Sequence, residues 1–134
     1  MHAVETRLRV RYAETDQMGI VYYANYLVWM EVGRVEYCKA RGFNYRDMER
    51  EDGAFLVVAE AACRYLAPAQ FDDEIVIATS LLQSRARMIR FGYEMRNSAT
   101  GRMLATGSTN HVICGRDHRP MRLPEKYRRY FEVS

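Results

Sequence analysis

Between residues 6 and 12 the chain reads TRLRVRY, with Leu8, Val10 and Tyr12 alternating against Arg7, Arg9 and Arg11. A period of two with apolar residues to one side predicts a half-buried β-strand. After the loop AETDQMG the period changes. Tyr26, Trp29, Met30, Gly33, Tyr37 and Ala40 recur at helical spacing, and Asn25 stands where an N-cap belongs. Val28, Val32 and Val35 form a second apolar row, leaving a narrow polar strip with Glu31 and Arg34. A helix apolar nearly all round is expected to be enclosed rather than laid on a surface. Gly33 in its interior costs about 1 kcal/mol of helix propensity and predicts a close backbone approach. Gly42 is the expected stop.

Beyond the helix, FNYRDMEREDG is a polar connection with room for one helical turn, and the chain then reads as strands. Residues 54–66 are an apolar run, ended at PAQFDD by Pro68, which cannot donate to an inner ladder. Residues 74–82 form a second run, and residues 87–96 alternate with Ile89, Phe91, Tyr93 and Met95 on one face. NSATG signals a hairpin, and residues 102–114 return with a bulge or close approach at Gly107. In the tail, Pro124 opens a helical turn from which Tyr127, Tyr130 and Phe131 can dock. One strand, one long apolar helix and at least four mostly antiparallel strands make a single α+β domain over residues 1–134. An open sheet leaves edge strands, and their pairing in a symmetric homo-oligomer, at least a dimer, is the expected remedy.

Composition narrows the function. The 134 residues are 49% hydrophobic and 28% charged, with a net charge of +3 and scattered Lys and Arg. No basic stripe or nucleic-acid reading motif is present, so no nucleic-acid partner is expected. The three cysteines, Cys38, Cys63 and Cys114, are odd in number and far apart, which argues against a disulfide framework or zinc site and for free thiols in a reducing compartment. The N-terminus MHAVETRLRV lacks a signal-peptide core, and no segment is apolar and long enough to span a bilayer. A cytoplasmic location is the expectation.

The stretch from Tyr12 to Arg34 carries the candidate chemistry. It delivers one acid, Asp16, through a loop with Gly19 to the N-terminal end of a largely buried helix. There, unpaired backbone N–H groups and the helix dipole favour negative charge. A carboxylate beside such donors pairs a base or nucleophile with oxyanion stabilisation. By position alone, Asp16 is equally readable as a loop acid or helix cap.

The residues YAETDQMGIVYYANYLVWME resemble the Asp-x-x-Gly-x-Val signature of the 4-hydroxybenzoyl-CoA thioesterase family. They are also similar to the Tol-Pal-associated acyl-CoA thioesterases, which share the hot-dog fold. YLAPAQFDD, EIVIATSL, SRARMIRFGYEM and ATGSTNH agree in order, so the resemblance covers nearly the whole chain. It implies a long central helix wrapped by an antiparallel sheet of about five strands, and hydrolysis of an acyl-CoA thioester without a cofactor beyond the CoA of the substrate. Asp16 would be nucleophile or general base, and the backbone amide of about Tyr23 would hold the carbonyl oxygen. Gly19, Val21 and Tyr26 would border the substrate, and Arg85 and Arg87 would meet CoA phosphates. Some relatives carry histidine where this chain has Tyr23, so a histidine mechanism is not expected. A homodimer or homotetramer is implied, and an acyl carrier protein could present the thioester instead of CoA.

Other polar residues have plainer readings. Glu60 is either a polar pocket wall or an outward strand acid. Glu31 and Arg34 suit an intrahelical or interfacial pair, and His111 suits a satisfied structural histidine. A hot-dog dehydratase would need a histidine in the loop–helix stretch, which has none. A non-catalytic acyl-CoA or acyl-carrier binding module is the remaining rival, with Asp16 only a cap. Neither a metal-hydrolase nor a Ser/His/Asp arrangement is present.

Overall fold

A computed structural model describes residues 3–132. Strand β1 (Val4–Arg9) leads through a 3-10 turn (Tyr12–Glu14) and a small loop into helix α1 (Asn25–Arg41). Helix α2 (Tyr45–Asp52) follows, then strands β2 (Phe55–Tyr65), β3 (Glu74–Arg85), β4 (Met88–Asn97) and β5 (Met103–Cys114), and a closing 3-10 helix (Glu125–Phe131). All pairings are antiparallel and the strand order is β1-β3-β4-β5-β2. The expected α+β arrangement of one long helix on a five-stranded sheet is present.

Local physics accounts for most boundaries. Helix α1 stops at Gly42, whose φ of 113° a side chain would resist; its N–H donates to the carbonyls of Cys38 and Lys39. The helix buries Tyr26, Trp29, Met30, Gly33, Tyr37 and Cys38. In β4 the alternation holds as read, with Ile89, Phe91, Tyr93 and Met95 all buried. The tail docks as expected: Phe131 is fully buried and packs edge-on against Phe43 and Phe91.

Four expectations need correction. Tyr12 does not continue the buried row of β1; the chain has entered the 3-10 turn, and the exposed Tyr12 ring stacks edge-on with Phe71. Asn25 is the first helical residue rather than the cap, and its side-chain amide is drawn to the carbonyl of Glu14 instead. Ala40 lies on the exposed side of α1. The polar connection forms two turns of helix, because Met48 finds a fully buried site and Gly53, at φ 61°, ends it.

Enclosure of α1 is also incomplete within one chain. Leu27, Val28 and Val32 remain substantially exposed on its outer side. Among the described residues, strand β2 pairs only with β5 and presents a free edge eleven residues long. Val58 faces the same side of the sheet as the buried His111 opposite it, yet remains 45% exposed, so the inner face is uncovered toward that edge.

Two glycines set how closely α1 lies on the sheet. A Cβ at Gly33 would overlap Thr79 Oγ1 and come within 3.0 Å of Ile77 Cγ2, both on β3. A Cβ at Gly107 would overlap the Met30 methyl and sit 2.6 Å from the Ala62 carbonyl. Gly107 is therefore a close-approach glycine within regular pairing to Cys63 and Tyr93. Gly33→Ala gains about 1 kcal/mol of helix propensity. It nevertheless forces the helix off two short β-branched side chains, so a net loss of about 1–2 kcal/mol is expected, read as a lower urea midpoint at unchanged slope.

Candidate active site

The segment after β1 is built by hydrogen bonds that close it at both ends. Thr15 donates through its N–H and hydroxyl to the Tyr12 carbonyl, ending the 3-10 turn. Thr15 then bridges antiparallel to Val21, so residues 15–21 form a miniature hairpin. At its tip the Gly19 N–H donates to the Asp16 carbonyl at 2.9 Å, and the Asp16 N–H donates to the Ile20 carbonyl at 2.9 Å. Gly19 has φ 80°, so the turn requires a residue without Cβ strain. The Asp16 carboxylate is half-buried; Oδ1 accepts from the Met18 N–H at 2.8 Å, and Oδ2 has no donor among the described residues.

The helix start completes the arrangement. The Val21 N–H donates to the Ala69 carbonyl, and the Tyr22 N–H to that of Glu14. The N–H groups of Asn25, Tyr26 and Leu27 are taken by the carbonyls of Tyr22, Tyr23 and Ala24. The N–H groups of Tyr23 and Ala24 are left without an acceptor among the described residues, and the Tyr23 carbonyl also accepts from the Tyr65 hydroxyl at 3.0 Å. Such a free amide at a helix N-terminus is a donor for a negatively charged oxygen.

A groove of about 340 Å³ runs beside this turn, bordered by Ile20, Val21, Tyr23, Tyr26, Tyr65 and Leu66. The Tyr26 ring meets Tyr65 edge-on at 5.0 Å and Trp29 at 4.8 Å. The structure thus brings Val21, Tyr23 and Tyr26 together on one groove, with Asp16 and Gly19 on the hairpin that forms its rim. A larger cavity, about 430 Å³, opens between α1 and α2 among Glu31, Arg34, Tyr45, Glu49, Leu56 and Phe91.

Arg85 and Arg87 are not part of this assembly within one chain. They are exposed on the β3–β4 hairpin, and neither has a carboxylate within 4 Å among the described residues. The Asp16 loop adjoins the other end of the sheet, where Val10 bonds Asp73 just before β3 begins. Twelve residues of β3 separate the two ends, a span of about 36 Å at ~3.3 Å per residue.

Several polar residues find structural roles. Glu60 pairs with Asn110, whose neighbours Thr109 and His111 turn inward, so Glu60 lies on the outer face and borders neither of the two cavities above. Glu31 and Arg34 form no ion pair with each other. The Cys38 thiol is pushed up to about 12 by burial, which removes it as a nucleophile at neutral pH. His111 is fully buried in a directional chain. Its Nδ1 lies 3.2 Å from the Leu56 carbonyl and must donate, while Nε2 lies 2.8 Å from Thr109 Oγ1, itself 2.6 Å from the Tyr93 hydroxyl. Burial lowers its pKa to about 4, so the imidazole is neutral at pH 7 and Nε2 then accepts from Thr109.

One buried acid beside the candidate site escaped the sequence reading. Glu14 is only 5% exposed, and its carboxylate joins the start of the 3-10 turn to Trp29 on α1. The available signal was Trp29 itself: a buried indole N–H needs an acceptor, and upstream of the helix Glu14 is the nearest acid apart from Asp16.

The chain matches the thioesterase-like superfamily over residues 10–131. It belongs to that family. It is 38% identical over 117 residues to YneP of Bacillus subtilis (strain 168), provisionally named an acyl-CoA thioesterase, with 87% of this chain and 83% of YneP covered. The acyl-CoA thioesterase YbgC of Haemophilus influenzae is 31% identical over 108 residues, covering 80% of this chain and 76% of its own. Among solved structures, the DHNA-CoA thioesterase of Staphylococcus aureus superposes with a TM-score of 0.88 at 32% identity, over 98% of this chain and 85% of that one. The fold is the hot-dog fold that the signature implied.

His111 gives a pH dependence of stability. Because its folded pKa lies below the unfolded value of about 6.5, the unfolded chain takes up the proton first as pH falls. Its contribution is complete above about pH 6.5 and is lost toward pH 4, by about 3 kcal/mol in all. Urea unfolding across that range should show this loss, and His111→Gln should flatten it.

Proposed function

We propose that this thioesterase-like protein hydrolyses acyl-CoA thioesters to the free acid and CoA, with Asp16 as the reacting carboxylate and the Tyr23 amide as oxyanion donor. The observation that carries this reading is the Asp16–Tyr23 segment. Among the described residues it holds a carboxylate with one oxygen free and a helix-entry amide without an acceptor, and both belong to one short hydrogen-bonded segment beside an apolar groove. The family and its acyl-CoA thioesterase relatives support the substrate class.

Asp16 either attacks the thioester carbon or takes a proton from the water that does. Negative charge then develops on the carbonyl oxygen, where one preorganised donor is worth about 3 kcal/mol. The positive end of α1 favours the same charge. Thiolate departs readily, so no dedicated general acid is required.

The working unit in this reading is a homodimer. The free edge of β2, the uncovered inner face beside it and the apolar residues on α1 form one continuous region for a second copy. An antiparallel β2–β2 pairing would bring the Phe55 end of one chain to the Tyr65 end of the other. The Arg85–Arg87 hairpin of the partner would then approach the Asp16 site, so the arginines would serve CoA phosphates in trans.

Thiol release from a panel of short, long and aromatic acyl-CoAs is the direct test. Asp16→Asn should lower kcat by about 10³-fold or more at unchanged fold and oligomeric state; full activity in that variant would sink the mechanism. Arg85→Ala and Arg87→Ala should each raise KM about fivefold while sparing kcat, an effect of ~1 kcal/mol that shrinks at high salt. Mixing Asp16→Asn with Arg85→Ala/Arg87→Ala protomers distinguishes the geometries. Sites shared in trans regain wild-type KM in one of the two positions, whereas sites built in cis do not.

A further inference from the structure

We infer that Glu14 is a positioning residue for this hydrolysis, locking the Asp16 hairpin and the Tyr23 amide into one fixed relation. The inference rests on the proposed roles of Asp16 and Tyr23. It begins with a carboxylate 5% exposed, which burial alone disfavours. The two oxygens are divided between two elements. Oε1 accepts from the Arg11 N–H at 2.8 Å, where the chain leaves β1, and Oε2 accepts from Trp29 Nε1 at 3.0 Å, one turn inside α1. The Arg11 guanidinium stands 3.6 Å from Oε2 and adds the only opposite charge within 4 Å among the described residues.

The Glu14 backbone is used as fully. Its carbonyl accepts from the Tyr22 N–H at 2.8 Å and from Asn25 Nδ2 at 2.9 Å. Asp16 lies two residues after Glu14, and Tyr23 immediately follows the residue bonded to it. Both ends of the hairpin and the first turn of α1 therefore converge on this one residue. A buried acid that only filled space could be replaced by an apolar side chain of similar volume at little cost. Glu14 instead fixes the distance between the two groups that must act on one thioester. Reaction rates respond steeply to such a distance, a shift of about 1 Å costing on the order of 10²-fold.

The chain has a single tryptophan, so Trp29 emission reports this hydrogen bond directly. Glu14→Gln keeps the volume and one acceptor oxygen but cannot accept from both donors. In the full-length protein it should lower kcat about tenfold or more with KM within about twofold, shift Trp29 emission, and leave oligomeric state intact. Trp29→Phe should lower kcat in the same direction, and the double variant should be no worse than Glu14→Gln alone. Wild-type kcat in Glu14→Gln, a loss matched entirely by its unfolded fraction, or additive losses in the double variant would each overturn the inference. Should Glu14→Gln fail to fold, Trp29→Phe decides: wild-type kcat there overturns the inference, and a kcat loss at unchanged KM supports it. Turnover retained by Asp16→Asn removes the reading beneath it, whereas an inactive Asp16→Asn beside a fully active Glu14→Gln removes only the role of Glu14.

Discussion

Helix α1 can lie on the sheet only because Gly33 has no side chain where it crosses β3. Thr79 and Ile77 occupy the space that a Cβ would need, and Gly107 performs the matching service for Met30 on β5. The close approach fixes both the height of the helix and its position along the strands. With the middle seated, the N-terminal end is carried to the Tyr65 end of the sheet, and the C-terminal end to the tail that packs on Phe43 and Phe91. The placement of the candidate site follows from this seating, since the Asp16 hairpin is tied to the helix entry on one side and to Ala69 on the other.

At the helix entry, satisfaction of backbone groups is selective. The carbonyls of Tyr22, Tyr23 and Ala24 consume the first helical amides, Glu14 takes the amide of Tyr22, and among the described residues the amides of Tyr23 and Ala24 are passed over. An unpaired amide is costly when buried, but Tyr23 is an exposed residue. The same economy applies to Asp16, where one oxygen is fastened by the Met18 amide and the other is not. A segment that fixes a group's position while leaving its reactive atom uncommitted suits a reaction that needs no reorganisation when charge appears.

What could be read from the sequence follows the range of the interactions involved. The alternation of β4, the helical row through Tyr37, the stop at Gly42 and the close approach at Gly33 are local patterns with one dominant physical cause, and all hold. The exposed position of Tyr12 was hidden because strand period says nothing about where a chain leaves the ladder. Asn25 misled because a good capping residue also makes a good long-range donor, and the Glu14 carbonyl competes for it. Glu14 itself reads as one more acid in a polar loop; its role depends on Trp29, fifteen residues away, being brought back over it. The Asp16 signature stands out only through its resemblance, whereas by position alone Asp16 also reads as a loop acid or a helix cap.

The arginines pose the remaining question about architecture. Phosphate groups extend far from a thioester carbonyl, so a CoA site needs cations at a distance from the carboxylate proposed to react. In a single chain, Arg85 and Arg87 lie beyond that reach, at the far end of a twelve-residue strand. An antiparallel sheet of this order cannot fold them back, because β3 and β4 are joined by the very hairpin that carries them. A two-fold operation at the free β2 edge would reverse the direction of the second sheet and exchange its ends. The same step would cover the apolar residues that α1 leaves exposed and would remove the unpaired edge. One symmetry operation thus answers three separate deficits of the lone chain, which is the physical reason to place the working site between two copies.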